Sequence, residues 1–355
     1  MSESGAVWSE RDTSPADIEA ALRDLLKQRR AEGEAYAPAR VLNLVVIADR
    51  DWRGEILNRL EKVGRYHASR TILCAVEQGR EEIDAVATME AEESDVTAGR
   101  LAIAHEEIVL DIGPRHLEHL DRIVDPLVVT DLPTVVWSPH GHPDAVDALI
   151  GIAQVVLLDS VIEPSPRAAI ERAAELAQRA YVVDLAWLRS TPWRERVAAT
   201  FDPPQWRAEL ASIAGVTVRY APGSEVAAVL MLGWLGYRLG WKPGPLKGED
   251  GHWTGVATAD DGDVSTLTNA DESMTIPGLA GVTIETRSGL CISLDRGPGG
   301  LTARRTTPDG HESSWTVMGA SRGEAGILGE GIRQALLRDR GYGQALAAAQ
   351  EMVCP

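Results

Sequence analysis

The 355 residues carry 35 basic and 53 acidic side chains, a formal net charge of −18. A chain that acidic lacks the counterion-releasing surface on which nucleic-acid affinity rests, and anionic membranes repel it. Hydrophobic content of 44% and charged content of 25% are ordinary globular values, and the length favours two domains over one.

Residues 1–39 read as a tail followed by an amphipathic helix, with Ile18, Leu22, Leu25 and Leu26 of "ADIEAALRDLLKQRR" on one face. The first fifteen residues hold no apolar signal-peptide core, and no uncharged run reaches membrane-spanning length, so a cytoplasmic location is expected.

From residue 40 to 163 strands and helices alternate. "RVLNLVVIA" is a near-continuous apolar run that suits a strand buried on both faces. "DWRGEILNRLEKVGRY" is helical, "SRTILCAV" a strand, and "AVATMEA" and "GRLAIAHEEIVLDI" further strands. A helix is expected over "GPRHLEHLDRIVDPLVV", then the strand "LPTVVWSP", the helix "PDAVDALIGIA" and the strand "QVVLLDS". This order predicts an α/β domain with an open, mostly parallel sheet and flanking helices.

"EPSPR" marks a linker, and residues 164–355 read as an α+β domain. Ser165 and Pro166 start a helix, the apolar helix "SEVAAVLMLGWLGYRLGW" comes later, and residues 281–319 alternate polar and apolar positions between Gly-rich turns. That pattern predicts an antiparallel meander with one wet face, covered by helices over 323–339 and 342–353.

Three cysteines, Cys74, Cys291 and Cys354, are an odd and widely spaced set that gives no disulfide framework. Cys74 sits in "TILCAV", where a buried, inert thiol is expected. The turn after the first strand reads "ADRDWRG" instead of G-x-G-x-x-G, and no P-loop, H-E-x-x-H or G-x-S-x-G occurs. His105, His116 and His119 lack a thiol or carboxylate at zinc-ligand spacing, so no metal or cofactor is expected.

Two stretches concentrate binding chemistry. In "RYHASRTI", His67, Ser69 and Arg70 gather an imidazole, a hydroxyl and a guanidinium where a strand starts, suited to an anion, a partner's carboxylate or a structural ion pair. In "DLAWLRSTPWRE", Thr191 and Pro192 suit an N-cap and first helical position, which would present backbone N–H groups beside Arg189 and Arg194. Strand alternation would put Leu185, Trp187 and Arg189 on one face, with Asp184 and Glu195 as internal partners for the arginines. Trp and Arg are also the residues most enriched in interface hot spots, and no nucleophile–base pair is present. Trp193 is expected to pack, and Arg194→Ala to leave the fold intact.

"HASRTI", "DLPTVVWSP" and above all "DLAWLRSTPWRE" resemble, in this order, the glucose-6-phosphate dehydrogenase assembly protein family, OpcA. The family usually reads His-Pro-Ser-Arg where this chain has His67-Ala68-Ser69-Arg70, and often has a second aromatic at Ser138. The resemblance implies a bacterial, non-catalytic partner that promotes assembly and allosteric activation of the dehydrogenase. His67, Ser69, Arg70, Asp184, Trp187, Arg189, Thr191, Trp193 and Arg194 are then candidates for holding the partner or an anionic metabolite effector. The redox control linked to cysteines in some relatives is not carried over to this chain's three. The alternative is a sensor or enzyme for a sugar phosphate or nucleotide, with an arginine-lined site at a helix N-terminus.

Overall fold

A computed structural model describes residues 6–31, 36–37, 40–64, 69–92, 102–249, 251–297, 299–318 and 323–354. The chain divides into two compact units, one of residues 1–158, 179–182 and 324–336, the other of 159–178, 183–323 and 337–355.

The first unit is built on a mostly parallel sheet. β3 (Leu42–Asp49) is buried along all but its last residue, as its unbroken apolar run requires of a strand covered on both faces. It pairs in parallel with β4 (Ser69–Val76) on one side and β7 (Thr134–Trp137) on the other. The full order is β1-β5-β6-β4-β3-β7-β8-β9, with β1 at Ala6–Glu10, β5 at Asp84–Glu92, β6 at Ala102–Ile112, β8 at Val155–Leu158 and β9 at Tyr181–Asp184. β5 is antiparallel to β6, and the two-residue β2 (Tyr36–Ala37) adds to β6 off the main path. Among the connecting helices are α1 (Pro15–Ala31), α2 (Arg53–Gly64) and α4 (Pro143–Leu149). Cys74 is fully buried, and burial pushes its thiol up to about 12, which disfavours the reactive thiolate.

Two expectations are corrected in this unit. Residues 6–10 are not tail but an edge strand, β1, antiparallel to β5. Its pairing rests on backbone hydrogen bonds, which five residues of mixed polarity do not announce. The single helix expected over residues 113–129 is broken into a 3-10 turn (Pro114–His119), α3 (Asp121–Val124) and a second 3-10 turn (Asp125–Leu127). Pro126 has no N–H to continue an α-helical ladder.

The second unit carries an eight-stranded sheet in the order β11-β12-β13-β10-β14-β15-β16-β17. The strands are β10 (Ile213–Tyr220), β11 (Lys247–Glu249), β12 (His252–Ala259), β13 (Gly262–Ala270), β14 (Leu279–Thr286), β15 (Cys291–Gly297), β16 (Gly300–Thr306) and β17 (Glu312–Met318). β14 to β17 form the antiparallel meander read from the sequence, and β10 joins it to β13, its one parallel neighbour. The helices of this unit are α5 (Pro166–Ala177), α6 (Leu185–Arg189), α7 (Thr191–Phe201), α8 (Pro204–Arg207), α9 (Glu225–Leu239) and α11 (Gly341–Val353). Ser165 caps α5, its hydroxyl accepting from the Ala168 N–H at 3.2 Å.

The helices lie elsewhere than expected. α9, apolar on nearly every face, packs on β10 and β13, while α11 packs on α9 and α5. α10 (Gly323–Leu337) falls, from Glu324 to Leu336, in the first unit, so the two terminal helices expected to cover the meander are divided between the units. Gly233 permits the close approach of α9 to α11, since a Cβ there would overlap the Ala345 carbonyl oxygen and sit 3.1 Å from Ala349 N. No helix among the described residues is long and apolar enough to cross a membrane.

Candidate functional site

Asp184 ends β9 and caps α6, its carboxylate accepting from the Ala186 N–H at 2.9 Å. Strand alternation over 185–189 is therefore not what forms. Leu185 to Leu188 are all buried, so the segment offers no wet and dry faces to alternate, and the cap starts a helical turn. The expected cap at Thr191 also moves: Thr191 is already the first residue of α7, and Ser190 at the joint donates its hydroxyl to Trp187 O at 2.8 Å.

The tight joint folds Arg194 back over Trp187. The guanidinium carbon lies 3.4 Å from the Trp187 ring centroid, a cation–π stack in a desolvated place. Arg194 is only 8% exposed, and its nitrogens donate to Trp187 O at 2.7 Å, to Ser190 Oγ, and to Thr191 Oγ1 at 2.9 Å. All three acceptors are uncharged. Burial lowers the guanidinium to about 9, opposed through space by the carboxylates of Asp339 and Glu195, and it stays protonated at neutral pH. Arg194 is thus packed, and its truncation would also cost stability, contrary to the expectation from sequence.

The other members of the stretch are held firmly. Arg189 makes a forked pair with Asp159 at 2.8 and 2.7 Å, not with Asp184 or Glu195. Trp187 is 3% exposed, donates its indole N–H to Asp339 at 3.2 Å, and meets the Tyr342 ring at 5.8 Å. Trp193 is buried as well, with the Arg296 guanidinium 5.9 Å from its ring.

Asp184 has a second role as a buried titrating group. Its oxygens accept from Ser160 N at 3.3 Å, Ser160 Oγ at 2.7 Å and Tyr342 Oη at 3.2 Å, in addition to the cap. Burial outweighs these donors and raises the carboxyl from 3.8 to about 6, while Tyr342, buried against it, is held well above its usual value. The folded state therefore holds this proton more tightly than the unfolded chain. The stability it contributes is full below about pH 4 and is lost as pH rises through about 6, a change of about 3 kcal/mol. Urea unfolding of the parent and Asp184→Asn at several pH values between 4 and 7 checks this. The difference should move in favour of Asn by that amount as pH rises, whereas a constant difference contradicts it.

A cavity of about 390 Å³ opens beside this joint, within the size range of small-molecule sites. Trp187, Thr191, Arg194 and Glu195 line it from α6 and α7, Trp234, Tyr237 and Arg238 from α9, and Asp339, Arg340, Gly341 and Gln344 from the start of α11. The residues outside 184–195 were missed from sequence. A signal did exist in α9, where Trp234, Tyr237 and Arg238 stand at i, i+3 and i+4 of an otherwise apolar helix and so share one face.

The "HASRTI" stretch belongs to the first unit. His67 lies outside the described residues. Ser69 is buried with its hydroxyl 3.1 Å from that of Thr71. Arg70, 6% exposed, donates to Glu106 at 2.8 Å and to Leu127 O at 2.8 Å, and Arg40 takes the other oxygen of Glu106. Arg70 is thus a member of a buried Arg–Glu–Arg network.

The same unit places a second polar group where β3 and β7 end side by side, at the reversal of strand order where doubly wound sheets bind ligands. Asp49 closes β3, its N–H donating to His140 Nδ1 at 3.0 Å, and His142 Nε2 lies 3.1 Å from its carboxylate. Trp52 leans on His140 with centroids 5.7 Å apart. Burial lowers the His140 pKa, with Asp49 opposing. Arg50 is occupied by Glu77 at 2.7 Å, and Arg53 by Asp111 at 3.2 Å. A pyrophosphate at this turn would meet a carboxylate and two already paired guanidinium groups. Among the described residues no cluster of His, Cys, Asp and Glu is arranged to hold a metal ion.

Residues 61–175 match the family described as glucose-6-phosphate dehydrogenase subunit N-terminal domain, and residues 180–346 the corresponding C-terminal domain. The chain is similar to the OxPP cycle protein OpcA of Synechococcus elongatus, 27% identical over 214 residues, which are 58% of this chain and 47% of that protein. It is also similar to the OpcA of Synechocystis, 31% identical over 131 residues, 36% of this chain and 28% of that one. The matched segments thus span less than half the length of either relative. The super-repressor mutant of Gal80p from Saccharomyces cerevisiae shares the fold alone, with a TM-score of 0.51 at 8% identity over 88% of this chain and 94% of that one. With both domains matched in order over most of its length, the chain belongs to the glucose-6-phosphate dehydrogenase assembly protein family, OpcA.

Proposed function

We propose that this chain is a non-catalytic assembly factor and allosteric activator of a glucose-6-phosphate dehydrogenase in the oxidative pentose phosphate pathway, acting in the cytoplasm through surface complementarity. The observation that carries this reading is the ordered match to both domains of a family described as a subunit of that enzyme. The turn after β3 supports a non-catalytic role, because Asp49 and the paired Arg50 and Arg53 stand where a dinucleotide phosphate would bind. The net charge of −18 favours a protein partner over nucleic acid or an anionic membrane.

The test is co-purification with the dehydrogenase of the same organism, together with its oligomer size and steady-state kinetics with and without the chain. A stable complex with a changed kcat, KM or subunit number is expected. No complex and unchanged kinetics would overturn the reading. A second reading, a sensor of a sugar phosphate or nucleotide, is favoured by the arginine-lined cavity of the second unit.

A further inference from the structure

We propose that the cavity between α7, α9 and the start of α11 binds a phosphate monoester of a small ring-bearing metabolite, with Arg194 at its inner wall and Arg238 and Arg340 at its rim. This deepens the sensor reading and does not depend on the dehydrogenase.

Charge is the first argument. Arg194 is a buried cation whose three hydrogen bonds all end on uncharged oxygens. A desolvated charge of this kind is stabilised further by an anion brought into the same cavity. Arg238 and Arg340 line that cavity from separate elements and are exposed to solvent. Of the two lining acids, Asp339 already accepts from the Trp187 indole at 3.2 Å and the Gly341 N–H at 2.8 Å.

Geometry selects the anion. The three arginines come from three separate segments, α7, α9 and the residue before α11, and line the same cavity. A planar carboxylate suits one guanidinium fork, whereas a tetrahedral phosphate offers acceptors to several. The remaining wall selects the body of the ligand. One face of Trp187 is covered by Arg194, which leaves Trp234 and Tyr237 as the free aromatic lining against which a sugar or base ring can lie. A volume of about 390 Å³ is sufficient for a monophosphorylated sugar or nucleoside and too small to enclose a dinucleotide.

The experiment is calorimetric titration of the full chain with four probes: inorganic phosphate, glucose 6-phosphate, adenosine 5′-monophosphate, and glucuronate, which carries a carboxylate on a hexose ring. One phosphate ester is expected to bind saturably, one per chain, more tightly than both inorganic phosphate and glucuronate. Arg238→Ala and Arg340→Ala, both at exposed positions, should each weaken it about tenfold, about 1.4 kcal/mol, with unchanged melting temperature. Arg194→Lys, which keeps the charge but loses the fork, should weaken it further. No saturable binding of either ester at millimolar concentration overturns the inference, as does binding unaffected by the rim variants. Tighter binding of glucuronate overturns the choice of phosphate. Ester binding by a chain that forms no complex with the dehydrogenase would sustain the site and remove the assembly reading alone.

Discussion

Glu106→Ala is expected to destabilise the chain by about 3–5 kcal/mol, because it strips the counter-charge from the buried Arg70 and from the half-buried Arg40. Glu106 stands inside β6 with 2% exposure, and its carboxylate is shared between Arg70 and Arg40. Without it the Arg70 guanidinium would keep one hydrogen bond, to Leu127 O, in a largely desolvated place. That residual cost belongs to the orphaned cation, which makes the loss larger than any net worth of the pair. Two further variants separate the contributions. Glu106→Gln keeps the shape and one acceptor, and should lie between Ala and the parent. The double variant Arg70→Met with Glu106→Leu removes the fully buried pair together, leaving only the partly exposed Arg40 to turn to water, and should recover much of the loss, since apolar replacements of whole buried pairs are often neutral or stabilising. Urea unfolding of the four proteins measures this. Glu106→Ala within about 1 kcal/mol of the parent would show that water enters the network and screens it.

The network also shows where sequence reading ran out. That Arg70 begins a strand was legible, but the acid that holds it lies 36 residues away in β6, and no local pattern links the two. β3, β4, β7 and β8 were legible for a physical reason: strands covered on both faces must be apolar throughout, and short unbroken apolar runs announce them. β10, β12 and β13 were not. Thr217, Arg219, Ser265 and Asn269 break their apolar runs on the face opposite Val216, Val218, Val264 and Thr268, and the register that joins them is long-range. In "DLAWLRSTPWRE" the Trp and Arg content pointed to the right place, but the wrong element was expected over 185–189, because the cap by Asp184 decides between strand and helix there. The cavity was half legible. Its α6 and α7 wall lies in the stretch that also identifies the family, whereas Asp339 and Arg340 reach it only through the packing of α11 on α9.

Trp187→Ala is the second substitution of large expected effect, again about 3–5 kcal/mol, as for other buried aromatic truncations. Three contacts are lost with the ring: the Arg194 stack at 3.4 Å, the indole bond to Asp339 at 3.2 Å, and the Tyr342 contact at 5.8 Å. Trp187→Phe isolates one of them. It keeps an aromatic face for Arg194 but has no N–H for Asp339, and bonds to charged groups contribute about 1.5–3 kcal/mol. Phe should therefore retain roughly half of what Ala loses. If Ala and Phe cost the same in urea unfolding, the indole bond dominates. If Phe costs nothing, the ring alone holds the joint. Backbone alone cannot position Arg194, because only one of its three acceptors, Trp187 O, is a main-chain group, the other two being the Ser190 and Thr191 hydroxyls. The ring beneath the guanidinium supplies the rest, so Trp187→Ala should release Arg194 towards solvent. Phosphate ester binding should then weaken even at temperatures where the variant remains folded, an outcome that a purely structural ring would not produce.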